Sequence, residues 1–487
     1  MIYIYNSNVK FKKQIEYVFM NIFYVLGLNY TILEGNQMYM LKPEDILFLY
    51  VDDEVLKNFV DNSKNIIILK FSDKLFSDNY LNVTSMPKKI KKYNEIISIY
   101  SEDKDLYIKK VFNNKKIIET NIDIISDIFF MLTRYEEVIN NGIYKREKYN
   151  RFPASESIAV KRNFLHRPIV NEHIDLLWSF IDSFNLGYKK KMWWGGKDFA
   201  ACLTYDVDII QKYKKRRDVI KSSGNLLLVQ KKPIFAINHF FNYFILNKKD
   251  PFDTFDYIIN LEKSYNFKAS FYFMTGGNSE FDNSYDINDQ KVKKLIEEIS
   301  EEGFEIGYHC SFNSYSNINM LKEEKEKLDF ILGKKYFGCR QHFLRFQVPY
   351  SWENQEQAGL LYDTTLGFAD MEGFRCGTCF PFKPYDLLLN RVLDIWEIPL
   401  IVMGESMQNP IYRAYTPQQG LQKTKDLINI IKRYNGVFTM LYHNSSFDPF
   451  NKMLYGWKDT YEQTMDYLYN NNCLGTSGRE IISIITK

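Results

Sequence analysis

The sequence predicts an α/β protein in two parts, the second built from repeated parallel βα units. Three observations predict this. Apolar runs of strand length alternate with amphipathic helical patterns through the second half. A basic stretch broken by two glycines, Tyr188-Lys-Lys-Lys-Met-Trp-Trp-Gly-Gly-Lys197, separates two different textures. Acids, histidines and an arginine gather where the second-half strands end, and parallel sheets and barrels carry their active sites at those ends.

Composition sets the bounds. The 487 residues are 45% hydrophobic and 25% charged, an ordinary globular balance long enough for two or three domains. A formal net charge of +3 is too small to imply a nucleic-acid partner. Six cysteines lie far apart except Cys376 and Cys379, so no disulfide framework is expected and a reducing compartment is favoured. The first residues lack a basic region followed by a long apolar stretch, and no apolar run is long enough to span a bilayer. The expectation is a cytoplasmic protein, with peripheral membrane contact left open.

In the first part, residues 1–190, strands are expected at Ile2–Tyr5, Ile46–Val51 and Ile66–Leu69, and helices between Lys10 and Leu26 and between Ile122 and Glu137. The segment Asp127–Glu137 is expected to be a mostly buried helix with a charged end. His166 and His173 have no partner ligands at useful spacing, which favours structural roles over metal binding.

In the second part, residues 191–487, Phe199-Ala-Ala-Cys-Leu-Thr-Tyr-Asp206-Val-Asp208 is a buried strand ending in two acids. Strand side chains alternate faces, so Asp206 and Asp208 point the same way. Two adjacent carboxylates call for a cation or a shared proton, unless they simply sit in a solvated turn. Gln211 to Asp250 is a long excursion rich in Lys and Arg and ending in aromatics. It suits a solvated helix followed by a packed one. The sharper alternative is a basic, aromatic lid that holds a phosphate-bearing substrate or touches anionic lipid headgroups. Further strands are expected at 268–275, at 305–309 delivering His309, at 336–345 delivering Arg340, at 394–403, and at 436–443 delivering His443.

Two carboxylates and a histidine form a plausible ligand set for a divalent metal. With an acid as general base, a histidine as general acid and an arginine to orient the base, the group suits metal-assisted hydrolysis of an amide or ester.

Five stretches, in order, resemble motifs of the polysaccharide deacetylases, the NodB-homology group of carbohydrate esterase family four. They are Leu203-Thr-Tyr-Asp206-Val-Asp208, Gly307-Tyr-His309-Cys-Ser-Phe-Asn313, Gly338-Cys-Arg340-Gln-His-Phe343, Leu393-Asp-Ile-Trp-Glu-Ile-Pro399 and Leu441-Tyr-His443-Asn. The resemblance implies a distorted (β/α) barrel of about seven strands, NodB-like, preceded by a smaller α/β or α+β domain. It implies Asp206 as general base, Asp208 and His309 as metal ligands, Arg340 as the orienting arginine, the Phe343 backbone N–H near the oxyanion, and His443 as general acid. The implied cofactor is a divalent ion, zinc first. The implied substrate is an amino sugar bearing an N-acetyl or N-formyl group, nucleotide- or lipid-linked, in surface polysaccharide synthesis. Arg134-Tyr-Glu-Glu137, Arg151-Phe-Pro-Ala and Arg167-Pro-Ile-Val resemble an uncharacterised domain that often precedes such deacetylases.

Two departures bear on the site. Where the family carries a second histidine four residues after the first, this chain has Asn313, a poorer zinc ligand that still enters the expected metal set. Where the third motif usually has proline, this chain has His342, either a packed strand histidine or a group that reaches the site. Arg375 and Trp396 are further candidates for binding substrate. The Asn313 departure keeps a second function open, a deacetylase-like scaffold or carbohydrate-binding protein without catalysis. A third, thiol redox chemistry at Cys376 and Cys379, requires a reactive thiol; incidental loop cysteines are favoured.

Overall fold

The computed structural model describes all residues except 35–40, 53–62, 102–104, 140–145, 230, 246–249 and 283. Residue 230 and residues 246–249 fall inside the Gln211–Asp250 excursion, so that part of its expected helices lies outside the described residues. The chain divides into two compact units. The first is Met1–Trp193 with Gln347–Glu353 and Phe374–Pro399; the second is Trp194–Phe346, Asn354–Gly373 and Leu400–Lys487. Two stretches from the expected barrel portion therefore pack with the first unit.

The first unit is a sheet with order β2-β1-β3-β4-β8-β7, made of β1 (Ile2–Asn6), β2 (Tyr30–Ile32), β3 (Ile46–Val51), β4 (Asn65–Lys70), β7 (Ile108–Phe112) and β8 (Lys116–Thr120). A separate hairpin pairs β5 (Lys91–Tyr93) with β6 (Ile96–Ser98). All main-sheet pairings are parallel except β7 on β8. Every residue of β3 is buried, as a strand covered on both faces requires. Helix α1 (Lys12–Leu26) ends where Gly27 adopts φ 65°, the left-handed turn that glycine takes at least cost. The expected 122–137 helix is broken into α2 (Ile124–Leu132) and α3 (Tyr135–Ile139), with Arg134 at φ 51° between them. Helix α4 (Ile169–Asp182) follows.

The second unit is organised on β9 (Phe199–Val207), buried at all nine positions. It is followed by α5 (Arg216–Leu228), α6 (Pro233–Phe244), α7 (Phe255–Ser264), β10 (Ser270–Met274), α8 (Gln290–Glu301), β11 (Glu305–Cys310), α9 (Ile318–Leu332), β12 (Gly338–Gln341), β13 (Tyr362–Asp363), β14 (Val402–Met403), α10 (Pro417–Arg433), β15 (Val437–His443), α11 (Trp457–Asn470), β16 (Cys473–Thr476) and α12 (Gly478–Ile485). The strand order β13-β12-β11-β10-β9-β15-β14 is parallel throughout, and β16 takes the first half of the β9 edge whose second half pairs with β10.

Local chemistry sets the helix ends. Asp289 accepts from Lys291 N at the start of α8, Asn317 accepts from Met320 N at the start of α9, and Thr416 with Gln419 forms a reciprocal capping box on α10 with Pro417 at its first position. Gly307 on β11 is required by packing, since a Cβ there would lie 2.5 Å from the Tyr272 ring and 2.8 Å from the Gly338 carbonyl.

Two expectations change. The strand over 394–403 is reduced to two short pieces, Trp396–Glu397 and Val402–Met403, which fall in different units. The second helix of the excursion, α6, buries only Ala236 and His239 among its described side chains, so it is not the packed helix expected.

Candidate active site at the strand ends of the second unit

The register of β9, β10, β11, β12 and β15 assembles the site. Asp206 pairs with His443 of β15 on one side and with Tyr272 of β10 on the other. Two positions further along, Met274 pairs with His309, and His309 with Arg340. Asp208, two residues beyond Asp206 on the same face, comes level with that second row. Five side chains from four separate motifs thus reach two adjacent rows at one sheet end.

Asp206 is buried and lies 3.1 Å from Arg340 Nη1. Arg340 is fully buried and its other donors are spoken for. Nη1 also donates to Thr204 Oγ1 at 2.7 Å, Nε to the Thr364 carbonyl at 3.0 Å and Nη2 to Thr364 Oγ1 at 3.1 Å. A guanidinium fixed from several sides holds one carboxylate oxygen in place and leaves the carboxylate's other oxygen to face the site. That oxygen, Asp206 Oδ2, is 3.8 Å from His309 Nε2.

Asp208 faces three imidazoles. Its Oδ1 is 3.1 Å from His309 Nε2 and 3.6 Å from His342 Nδ1, and its Oδ2 is 3.6 Å from His443 Nε2. Burial opposes ionisation of Asp208, but His342, His309 and His443 outweigh it and hold the carboxyl far below the usual carboxylate range. Burial likewise opposes charge on His309, yet Asp206 and Asp208 carry its pKa upward on balance. For His342 burial wins, and its pKa is pushed down.

Asp208, His309 and His342 each offer one ligand atom, all within 4.8 Å of one another, a group that could hold a metal ion. The hydrogen bonds around it fit a cation. His309 Nδ1 is 3.0 Å from the Arg340 carbonyl and His342 Nε2 is 2.7 Å from the Phe281 carbonyl. A carbonyl only accepts, so each outer nitrogen carries a proton, and in the neutral imidazole the inner nitrogen then presents a lone pair. Those inner nitrogens are 2.9 Å apart. Asp208 Oδ1 is buried and accepts no hydrogen bond among the described residues. With both imidazoles neutral, three electron-rich atoms converge here, and both histidines are oriented by carbonyls in the manner of metal-bound imidazoles.

The other predicted residues fall elsewhere. Asn313 is exposed, and its Oδ1 accepts from Arg345 Nη1 at 3.2 Å instead of joining the carboxylate and imidazoles. The third place in the cluster belongs to His342, which was expected only as a substrate contact or packed histidine. It reaches the cluster because β12 stops at Gln341 and the chain turns through a short 3-10 segment in which Phe343 has φ 58°. A left-handed conformation at a phenylalanine costs energy, and such outliers concentrate at functional sites. The Phe343 ring packs against Phe281, Phe312 and His342.

Arg375 and Trp396 belong to the first unit. Arg375 is buried with its guanidinium on Glu137, Nη2 to Oε2 at 2.7 Å and Nε to Oε1 at 3.0 Å. Glu137 also takes Arg134 Nε at 2.8 Å, and the two arginines hold its carboxyl at about 2 against the opposing effect of burial. This is a buried ion cluster of the first unit, and the Arg375 guanidinium, expected to bind substrate, is engaged in it. Trp396 packs near Tyr24 and beneath Lys383. Cys376 and Cys379 are free and buried, and burial pushes both thiols up, the reverse of what a reactive pair needs.

Fold and site together define a class: a parallel α/β unit with a carboxylate–imidazole cluster and an arginine-held acid at its carboxyl-end rim. Comparison with known proteins adds the following. Residues 2–185 match the model of a family of unknown function, DUF7033. No curated protein matches the chain. Among solved structures, a provisionally named polysaccharide deacetylase from Mycobacterium smegmatis is 13% identical, with a TM-score of 0.40 over 60% of this chain and 92% of that one. A 4-alpha-glucanotransferase from Thermococcus litoralis is 15% identical, with a TM-score of 0.35 over 58% of this chain and 40% of its own. No described helix is long and apolar enough to cross a membrane.

Proposed function

We propose that this chain is a metal-dependent hydrolase that removes an N-acyl group, acetyl or formyl, from an amino sugar in surface polysaccharide synthesis, with a NodB-like barrel as its catalytic domain. The observation that carries the reading is the meeting of Asp206, Asp208, His309, His342, His443 and Arg340 at one strand-end rim. Asp208, His309 and His342 would hold a divalent ion, zinc first, in place of the expected set with Asn313. Bound there, the ion supplies Lewis acidity toward the acyl oxygen and an attacking water.

The chain's own groups divide the proton work. Asp206, kept oriented by Arg340, takes the proton from the attacking water as its oxygen bonds to the acyl carbon. The carbon–nitrogen bond then breaks, and His443, at the rim and 16% exposed, gives the departing amine its proton. The Phe343 backbone N–H is the candidate donor to the developing oxyanion. A nucleotide- or lipid-linked sugar is the proposed form of the substrate.

The test is release of acetate or formate from N-acylated amino sugars by the purified full chain supplied with zinc. Release that Asp206→Asn abolishes supports the reading. No release from any such donor by a zinc-loaded, folded protein removes it.

A further inference from the structure

The excursion between β9 and α7 exposes what a water-soluble surface normally hides. On α6 and at the residue just after it, Ile234, Ile237, Phe241 and Ile245 recur at three- and four-residue spacing and are between 50% and 71% exposed. They form one stripe on the helix face opposite Ala236 and His239, which are buried. Phe235 and Phe240 on the flanks of α6, and Ile220, Leu227, Leu228 and Val229 on and just after α5, are exposed as well. So many exposed large apolar side chains on two successive helices mark a surface that leaves water for a partner.

Cations accompany these residues in the same excursion. Lys214, Lys215, Arg216, Arg217, Lys221 and Lys231 are all exposed, with Asp218 the one acid within α5 and α6. Protein interfaces deplete lysine, whereas an apolar face edged by Lys and Arg suits the boundary between anionic headgroups and acyl chains. Helices of 13 and 12 residues are too short to span a bilayer, so they would lie on it.

The pair of helices is also tied to the site rim. The Asn444 amide, next in sequence to His443, donates to the Ile209 carbonyl and to the Phe252 carbonyl, both at 2.8 Å, and so holds both ends of the excursion. His239 braces the helices from inside. It bonds to Tyr213 Oη at 2.7 Å and Ser223 Oγ at 2.8 Å, with its ring against Phe450 in the loop after β15.

We infer that α5 and α6 form a docking surface for an anionic lipid bilayer, set beside the strand-end site. The patch chemistry carries this independently of any reaction at the site. The experiment is sedimentation of the full chain with vesicles of phosphatidylcholine alone or of equal parts phosphatidylcholine and phosphatidylglycerol. Binding to the anionic vesicles is expected to exceed binding to the neutral ones by about tenfold or more. The double variant I237E/F241E should lose it. A quadruple variant K214Q/K215Q/R216Q/R217Q should lose the preference for anionic lipid. All these positions are exposed, and unchanged circular dichroism of each variant would exclude misfolding as the cause. Failure to bind either vesicle, or binding untouched by I237E/F241E, overturns the inference. So does a dimer in sedimentation equilibrium that I237E/F241E dissolves without any lipid binding, since a second copy of the chain would then cover the patch.

Discussion

His309 and His342 point their inner nitrogens at each other across 2.9 Å while their outer nitrogens are held by the carbonyls of Arg340 and Phe281. When both imidazoles are neutral, their facing lone pairs repel unless an acceptor of electron pairs stands with them. Beside Asp208 Oδ1, the arrangement is one that a divalent cation completes. His342→Ala is therefore expected to lower bound zinc by tenfold or more, about the effect of removing a ligand or its immediate support. Asn313→Ala should leave the metal content unchanged. Elemental analysis of both variants decides. Zinc retained without His342 and lost without Asn313 would restore the assignment expected from the motif.

How much of this site was legible follows from geometry. The shared face of Asp206 and Asp208 follows from the two-residue period of a strand, and the strand-end positions of His309, Arg340 and His443 follow from alternating strand and helix patterns. His342 was legible only as an alternative, because its placement depends on a left-handed turn at Phe343 and Leu344 that nothing in the local residue types requires. The four-residue spacing to Asn313 assumes a helical turn, and the chain there runs through Ser311 and Phe312 into a 3-10 segment instead. The pairing of Arg375 was not legible for another reason. Its partner Glu137 lies 238 positions away, and no periodicity encodes a pairing of that range.

Asp206 and Arg340 should respond differently to mutation. Asp206→Asn keeps the size of the side chain and removes the proton acceptor. Deacylation should fall by a hundredfold or more, in the range of about 10²–10⁴ for general-base catalysis, with the thermal midpoint nearly unchanged. Arg340→Met leaves Asp206, Thr204 and the Thr364 carbonyl without their buried donor. It should cost about 3–5 kcal/mol of stability as well as activity. Denaturant unfolding alongside the rate measurement separates the two. Full activity in Asp206→Asn would take the base role from that residue.

Arg375→Ala is a test of the first unit rather than of substrate affinity. Removing this guanidinium leaves Glu137 buried with only Arg134 to balance it, and Arg134 is shared with Glu136. A loss of about 3–5 kcal/mol is expected, as for other broken buried pairs. KM for an active substrate should stay within twofold of the unaltered protein wherever the variant remains folded. A raised KM with unchanged unfolding would return Arg375 to the substrate.

Glu262 supplies a pH dependence of stability that the strand-end site does not enter. It is fully buried on α7, and its Oε1 accepts from Tyr205 Oη and, at 3.0 Å, from Tyr461 Oη. Burial raises its pKa from 4.5 to about 7, more than the two tyrosines lower it. Between those values the folded state holds a proton that the unfolded state has released, so stability falls as pH rises through the window. The stabilisation is complete below about pH 4.5 and gone above about pH 7. At roughly 1.4 kcal/mol for each pKa unit, the change is on the order of 3 kcal/mol. Glu262→Gln keeps a neutral group at every pH and should remove this slope, so that its stability relative to the unaltered protein improves between about pH 4.5 and pH 7 and is level above that in urea titrations. Parallel stability profiles for the two proteins over that range would mean that Glu262 is already ionised when folded, with its charge balanced by a partner other than Tyr205 and Tyr461.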